Sequence, residues 1–415
     1  MRIAGIGEAF PPNYYDQDAL LEALKRLWVR RGRTNLDRLE ALHRRVLVGG
    51  RHMALRTEEY EGITTWGQAN DAWIRVAQEV GERAIAAALD ASGFTTADVG
   101  ALFFVTVTGV ATPSIDARLI NRMGLPTDVT RVPIFGLGCV AGAAGLARAA
   151  DYVRAYPDRV AVLLSVELCS LTLQQADLSI SNLIASGLFG DGAAAVVVAG
   201  EARASCGDTA QVDRSGAGGG PSGAGRSGSE SSRAGTDRAA SGGGSAGGGA
   251  TAGPGAASKG IGAGERGRGG DWPRIVASRS VFYPDTERVM GWDISENGFQ
   301  IVLSADVPAM VLGHVSSDVD AFLGEQGLKR EDVGCWISHP GGPRVLEAMQ
   351  ESLGLPREAF ALSWKSLAKV GNLSSASVLL VLKETLESRR PEPGRHGLVI
   401  AMGPGFCSEL VLLRF

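Results

Sequence analysis

The chain has 415 residues, which is enough for two ordinary domains or for one large fold with two lobes. Apolar residues make up 45%, charged residues 21%, and the formal net charge is −4. This composition predicts a globular protein and gives no electrostatic reason to expect nucleic acid as a partner. No apolar run is long enough to span a membrane, and the N-terminal residues are typical of a strand and not of a signal peptide. Because the five cysteines are widely scattered, a disulfide framework is not expected, and we predict a cytoplasmic protein.

Predicted strands and helices alternate along the chain. Strands are expected at 101–107, 160–166, 193–198, 334–339, 397–402 and 409–415. Helices are expected at 70–92, 140–156 and 374–389. The strands are almost continuously apolar, which indicates sheets covered on both faces. The alternation predicts α/β layers, and the two blocks of elements are consistent with two related halves.

Glycine is concentrated in one segment of the chain, where 23 of the 57 glycines lie between Glu201 and Gly270. Only Val212 and Ile261 are bulky apolar residues between positions 207 and 270. Such a segment cannot bury enough surface to offset the entropy lost on folding. We therefore predict a disordered insertion at 205–270 between an N-terminal half, 1–204, and a C-terminal half, 271–415.

Cys139 follows a short apolar strand and a turn flanked by glycines, and it precedes a helix of small residues. The N-terminus of a helix favours a thiolate over a thiol, and small neighbours leave room for an acyl group, so Cys139 is a candidate nucleophile. The alternative is a buried cysteine that packs as a small apolar residue. Residues 136–141 also fit the dinucleotide-binding pattern G-x-G-x-x-A, but that motif belongs at the start of a nucleotide-binding domain, and here over a hundred residues precede it.

His339 and Asn372 are the other two candidate catalytic residues. His339 ends an apolar strand and precedes two glycines and two prolines, so we expect its ring to project into a turn. Asn372 follows a glycine and precedes an apolar helix, where it either caps the helix or presents its amide to a pocket. A cysteine, a histidine and an asparagine together suggest acyl transfer, with the two N–H donors stabilising an enolate oxyanion.

Five blocks of this sequence resemble the signature motifs of the type III polyketide synthases, the chalcone synthase superfamily. The blocks are residues 136–142, 188–194, 339–343, 371–376 and 403–406. The resemblance covers the chain apart from the insertion. It implies a thiolase-type αβαβα fold of two pseudo-equivalent halves that acts as a homodimer. It also implies acyl-CoA and malonyl-CoA as substrates, with no metal or other cofactor.

The resemblance assigns a role to each candidate residue. Cys139 would carry the acyl chain, His339 would pair with its thiolate, and His339 and Asn372 would promote decarboxylation of malonyl-CoA. Phe189 matches a gate between the CoA tunnel and the cavity, and Ile301 stands where a second gate phenylalanine is expected. The cavity-lining positions are occupied by Cys169, Thr172, Trp292 and Ser374. The basic residues that would meet the CoA phosphates are Arg44, Arg45 and Arg51.

The product is a separate hypothesis. The block from Met290 to Ser304 resembles bacterial alkylpyrone and alkylresorcinol synthases. Because Ile301 also replaces an aromatic gate residue, we expect a fatty acyl-CoA starter in an apolar tunnel. The leading alternative is a malonyl-primed naphthol synthase of the tetrahydroxynaphthalene type. A single-condensation β-ketoacyl synthase and a catalytically inactive binding protein on the same fold are further alternatives. Starter length, number of extensions, ring type and the role of the insertion stay open.

Overall fold

The computed structural model describes residues 1–30, 37–203 and 272–415. Its strands are β1 (Arg2–Ala9), β2 (Asn13–Asp16), β3 (Gly50–Met53), β4 (Val99–Thr106), β5 (Thr130–Phe135), β6 (Val160–Leu168), β7 (Asp191–Ala199), β8 (Arg274–Phe282), β9 (Met290–Ser295), β10 (Gly298–Leu303), β11 (Val333–Ser338), β12 (His396–Gly403) and β13 (Cys407–Arg414). Its helices are α1 (Gln17–Arg30), α2 (Asp37–Arg45), α3 (Trp66–Ser92), α4 (Ile115–Met123), α5 (Ala141–Ala155), α6 (Ile180–Leu188), α7 (Val307–Glu325), α8 (Pro343–Leu353), α9 (Ala361–Val370) and α10 (Ser375–Ser388).

Nine strands form one sheet in the order β11-β12-β13-β8-β1-β7-β6-β4-β5. Read outward from the centre, β1-β7-β6-β4 and β8-β13-β12-β11 show the same sequence of pairings: antiparallel, antiparallel, then parallel. The two series meet where Arg2 of β1 pairs with Arg274 of β8. Two small antiparallel pairs, β2 with β3 and β9 with β10, lie outside this sheet.

Alternation along the strands divides the core into layers. In β4, Phe103 and Val105 pack with α5, whereas Leu102 and Phe104 pack with α3. In the second series, Val399 of β12 joins the cluster around α5 and α10, and its neighbours Leu398 and Ile400 pack against α7. The order of layers is therefore α3, the β1-β7-β6-β4 part of the sheet, the α5–α10 pair, the β8-β13-β12-β11 part of the sheet, and α7.

The α/β layers predicted from the sequence and the αβαβα arrangement that the resemblance implies are confirmed, as are the predicted strands and helices within one or two residues at most ends. Residues 204–271 are not among the described residues. The predicted insertion at 205–270 and the two domain boundaries next to it therefore lie outside them. None of the helices in the described part of the chain combines the length and the apolarity that a membrane span requires.

Helices α5 and α10 touch near their N-terminal ends. Gly142, the second residue of α5, lies so close to α10 that a Cβ placed there would sit 2.2 Å from the carbonyl oxygen of Ser375. Ser375 is the first residue of α10. The chain segments that lead into the two helices, which contain Cys139 and Asn372, are thereby brought together.

We predict that Gly142→Ala lowers the free energy of unfolding by about 1–3 kcal/mol, because the added methyl group overpacks the contact between α5 and α10. Urea denaturation measures this change. Gly313→Ala is the matched control, since a Cβ placed on Gly313 of α7 would have no neighbouring atom within 4 Å. That variant should gain up to about 1 kcal/mol from helix propensity alone. Equal effects at the two positions would contradict the close contact.

Candidate active site

Cys139 lies in a 3₁₀ turn, Gly138–Val140, between β5 and α5. Gly136 and Gly138, which flank Leu137 just before Cys139, have φ angles of 96° and 55°, in the region that favours glycine. A Cβ on Gly138 would also lie 2.7 Å from Pro404. This turn places the buried Cys139 thiol at the N-terminal end of α5, as the sequence predicted.

His339 follows β11 directly, and its backbone N–H donates to the carbonyl of Ile400 on β12 at 2.8 Å. The residue is 5% exposed. Neither ring nitrogen has a hydrogen-bond partner among the residues that the structure describes. Burial lowers the pKa of His339 to about 3, so the free imidazole is neutral and keeps one N–H donor and one acceptor.

Asn372 is buried between α9 and α10, where its backbone is fixed by the chain around Phe189. Its N–H donates to the carbonyl of Leu188 at 2.9 Å, and its carbonyl accepts from the N–H of Gly190 at 3.0 Å. The side-chain oxygen accepts from the N–H of Ser374 at 2.8 Å, and Nδ2 donates to the carbonyl of Gly341 at 3.2 Å. An amide nitrogen carries two hydrogens, so one donor of Asn372 is left for a ligand.

Cys139, His339 and Asn372 line the same cavity, although they come from three distant parts of the chain. The thiol of Cys139 donates to Ser374 Oγ at 3.7 Å. No Lys, Arg, Asp or Glu is among the described residues that line this cavity, and its volume is about 50 Å³. The N-terminal ends of α5 and α10 both lie beside it, so their dipoles favour negative charge on the sulfur or on an enolate.

The pKa of Cys139 differs from the sequence prediction. Burial raises it to about 12, and the neighbouring Ser374 and Asn372 side chains only partly oppose that effect. The helix N-terminus alone therefore does not produce a thiolate. A thiolate needs a positive partner inside the cavity. Among the described residues that line the cavity, His339 is the one that can become a cation.

The predicted substrate residues divide between two adjacent cavities. Phe189, Trp292, Ile301 and Ser374 line the cavity of Cys139. Cys169 and Thr172 do not; they line a second cavity, which shares Phe189, Trp292 and Ile301 with the first. These three apolar side chains therefore form a wall between the two cavities.

The structure corrects one of the three predicted CoA contacts. Arg51 is 3% exposed, and its guanidinium donates to the carbonyls of Phe189 at 2.7 Å and Ser186 at 2.6 Å. A side chain held inside the protein in this way does not reach a phosphate at the entrance. Arg44 and Arg45 are exposed, and Arg44 pairs with Glu40 at 2.8 Å, so their contact with CoA stays a prediction.

Glu167 is a buried carboxylate that was not singled out from the sequence. It accepts hydrogen bonds from Ser375 Oγ, from Thr108 Oγ1 at 2.9 Å and from the N–H of Val107 at 3.1 Å. Burial raises its pKa to about 7, and its charge in turn raises the pKa of Cys139. The signal that would have found it is a lone acidic residue inside the apolar strand β6.

The thiols and carboxylates of the described residues lack the arrangements that hold metal ions. In the described residues, no group of three or more His, Cys, Asp or Glu side chains is arranged to hold a metal ion. The four cysteines that the structure describes, at positions 139, 169, 335 and 407, are all free thiols. The reactive groups that line the cavity are the thiol, the imidazole and the amide.

Comparison with known proteins agrees with this geometry. Residues 1–202 match the N-terminal domain model of chalcone and stilbene synthases, and residues 274–415 match the C-terminal domain model. The chain therefore belongs to the chalcone and stilbene synthase family and is a type III polyketide synthase, an acyltransferase that acts on CoA thioesters by condensation.

Individual relatives cover the full chain. A 1,3,6,8-tetrahydroxynaphthalene synthase of Streptomyces peucetius subsp. caesius is 45% identical over 100% of this chain and 93% of its own length. A putative chalcone synthase of Bacillus subtilis (strain 168) is 32% identical over 100% of this chain and 98% of its own length. The crystal structure of the 1,3,6,8-tetrahydroxynaphthalene synthase from Streptomyces coelicolor A3(2) has a TM-score of 0.78 at 26% identity and covers 100% of this chain and 99% of that one.

We predict that His339→Gln shifts the alkylation of Cys139 by iodoacetamide to higher pH by at least about one unit, because the variant removes the cation that stabilises the thiolate. Peptide mass spectrometry reports the Cys139 adduct separately from the other cysteines. His52→Gln is the control, since the His52 ring contacts the Pro11 carbonyl and lies outside the cavity. An unchanged midpoint in His339→Gln would show that the imidazole does not pair with the sulfur.

Proposed function

We propose that this enzyme primes itself with malonyl-CoA, extends the chain with further malonyl-CoA and cyclises it to a naphthol of the tetrahydroxynaphthalene type. The observation that carries the chemistry is the convergence of Cys139, His339 and Asn372 on one uncharged cavity. The proposal for the product rests on the 45% identity to a tetrahydroxynaphthalene synthase over the whole chain. We propose further that the enzyme is a cytoplasmic homodimer and needs no cofactor besides its CoA substrates.

Loading begins when Cys139 attacks the thioester carbonyl of the starter. The thiol proton passes to the free nitrogen of neutral His339, and the thiolate–imidazolium pair is stabilised by attraction between its charges and by the N-terminal end of α5. The sulfur forms a bond to the acyl carbon, the bond between that carbon and the CoA sulfur breaks, and the CoA thiolate takes the proton from His339. The acyl group is then a thioester of Cys139 and the imidazole is neutral again.

Extension uses the same imidazole as a hydrogen-bond donor. When malonyl-CoA enters, its thioester oxygen accepts from the N–H of His339 and from the free hydrogen on Asn372 Nδ2. The carboxylate leaves as CO₂, and its electron pair moves onto the thioester as an enolate, whose oxygen these two donors stabilise. The enolate carbon attacks the acyl carbon on Cys139, which forms a carbon–carbon bond and releases the Cys139 thiolate.

The uncharged lining of the cavity supports the decarboxylation step. Leu188, Ile301, Val307 and Met402 are among its apolar residues. These side chains cannot hydrogen-bond the carboxylate, so the lining disfavours the ionised group relative to neutral CO₂. The lowered pKa of His339 has the same cause, and it keeps the ring neutral while the enolate forms.

The size of the cavity supports a short starter. A water molecule needs roughly 10–15 Å³ of such space, so about 50 Å³ beside Cys139 is closer to the size of a malonyl starter than to that of a long alkyl chain. Malonyl units also supply carbon in pairs, which accounts for a naphthalene skeleton without any other starter.

A fatty acyl-CoA starter with an alkylpyrone or alkylresorcinol product is the second candidate. Ile301 replaces an aromatic gate, and the apolar wall of Phe189, Trp292 and Ile301 would have to move aside to admit the chain. A single-condensation enzyme is the third. Product mass separates the three, because it gives the starter and the number of malonyl units directly.

We predict that purified enzyme given malonyl-CoA alone releases a naphthol, and that added acyl-CoAs of graded length do not raise turnover. Liquid chromatography with mass spectrometry of the products measures this, and Cys139→Ala serves as the inactive control. Turnover that depends on a long acyl-CoA would overturn malonyl priming and favour the second candidate. A product that contains a single malonyl unit would favour the third.

We also predict that Trp292→Ala joins the two cavities and lets longer starters bind. The value of kcat/KM for lauroyl-CoA should rise about tenfold or more, since each methylene that becomes buried contributes about 0.8 kcal/mol. Ile301→Phe adds bulk to the same wall and is the matched control, for which no gain is expected. If Trp292→Ala leaves starter length unchanged, the wall does not set it.

A further inference from the structure

The second cavity, called here the far cavity, lies beyond the wall of Phe189, Trp292 and Ile301. Its volume is about 40 Å³, which is room for a small polar group. Besides the wall it is lined by Arg51, Met53, Cys169, Ser170, Thr172, Leu173, Asn182, Ala185 and Ser186. In contrast to the cavity of Cys139, it has a cation in its lining.

That cation is Arg51, and its charge is incompletely matched. Arg51 forms no ion pair within the described residues, and its two terminal nitrogens are bonded to neutral backbone carbonyls. Its Nε is buried and has no partner there. Burial lowers the pKa of Arg51 to about 10, so the side chain still carries its charge near neutral pH.

The negative charge of Asp191 attracts Arg51 at a distance, without a direct ion pair between the two side chains. Its carboxylate accepts from the N–H of Ala54, from the N–H of Ser170 at 2.8 Å and from the hydroxyl of Ser170. The carboxylate is therefore bonded to other donors, while its charge stabilises the charged form of Arg51. Arg51 Nε is left without an acceptor among the described residues.

The other polar side chains of the far cavity are already engaged. Thr172 Oγ1 donates to the carbonyl of Cys169 at 2.8 Å, and Asn182 Nδ2 donates to the carbonyls of Gln174 at 2.9 Å and Asp177 at 2.7 Å. Arg51 Nε is the one buried side-chain nitrogen of this lining that lacks a partner among the described residues. Apart from the weakly donating Cys169 thiol, the unpartnered donor in the described lining of the far cavity is therefore the charged Arg51 Nε.

We propose that the far cavity holds the carboxylate end of the growing chain, with Arg51 as the recognising cation. This inference rests on the proposed function, because a malonyl starter that is loaded intact leaves a carboxylate at the end of the chain remote from Cys139. Cys139 does not line the far cavity, so the carboxylate reaches Arg51 only after the chain has grown and the side chains of the wall have moved aside to let it pass. Recognition of this end favours dicarboxylic starters over neutral ones.

The test compares starters of matched length that differ in one charged group. Succinyl-, glutaryl- and adipyl-CoA are each paired with the neutral acyl-CoA of similar length, and kcat/KM for extension by malonyl-CoA is measured for both members. For wild-type enzyme we expect the ratio of acid to neutral starter to reach about tenfold or more at one length, as for a hydrogen bond to a charged group. The starter length that gives the highest ratio reports the distance between Arg51 Nε and the Cys139 sulfur, counted in atoms of the acyl chain.

Variants of Arg51 are judged by the same ratio, because it cancels any loss that affects both starters through movement of Phe189. In Arg51→Gln the ratio should fall to about one, and Arg51→Lys should keep part of the preference. Arg83→Gln is the matched control, since exposed Arg83 also donates to a backbone carbonyl, that of Phe10, but lines neither cavity.

The outcomes separate this inference from the proposed function. A wild-type ratio near one at every length, or a ratio that survives in Arg51→Gln, overturns the role of Arg51 while chain extension itself remains. A wild-type enzyme that extends no starter, with malonyl-CoA alone or with any acyl-CoA, overturns the proposed function instead. Equal losses for both starters in Arg51→Gln, with the ratio unchanged, would limit Arg51 to holding Ser186 and Phe189 in place.

Discussion

The contact between α5 and α10 is the constraint on which the active site depends. Because Gly142 has no side chain, the N-terminal end of α5 can lie against the Ser375 carbonyl at the start of α10. The turn that contains Cys139 and the segment that contains Asn372 then border one cavity, and both helix dipoles favour negative charge there. The third group, His339, comes to the same place because β11 ends there, and Asn372 Nδ2 bonds to Gly341 in the loop that follows His339.

Burial of the site both favours the reaction and opposes ionisation of the catalytic side chains. The same apolar lining that disfavours a carboxylate raises the pKa of Cys139 and lowers that of His339. Each group is neutral by itself, so charge appears only when the proton moves between them or when an enolate forms. A site of this kind excludes isolated charge and stabilises charge in pairs, which suits a reaction that passes through thiolate and enolate anions.

The sequence allowed the fold class and the catalytic trio to be predicted because each depends on local patterns. Continuous apolar strands, glycines around Cys139 and the end of an apolar strand at His339 are visible in one dimension. The environment of a side chain is not. Arg51 was predicted to meet the CoA phosphates because it resembles a basic residue of the family at the entrance, but the fold turns it inward onto the backbone of Ser186 and Phe189.

Two further results depend on three-dimensional packing and were not accessible from the sequence. The wall of Phe189, Trp292 and Ile301 separates Cys169 and Thr172 from Cys139, although all were expected in one cavity. The pKa of Cys139 follows from its degree of burial, which helix position does not reveal. Starter choice belongs to the same class of property, since it depends on the volume between side chains from separate segments.

The role of the cavity is tested most directly by identifying the group that carries the acyl chain. Enzyme is mixed with malonyl-CoA, quenched within the first turnovers and digested, and the mass of the Cys139 peptide is measured. We expect an acyl mass on Cys139 that is absent from Cys139→Ala and much reduced in His339→Gln. An acyl group on another residue, or extended product released by Cys139→Ala, would contradict the role of Cys139 as the nucleophile.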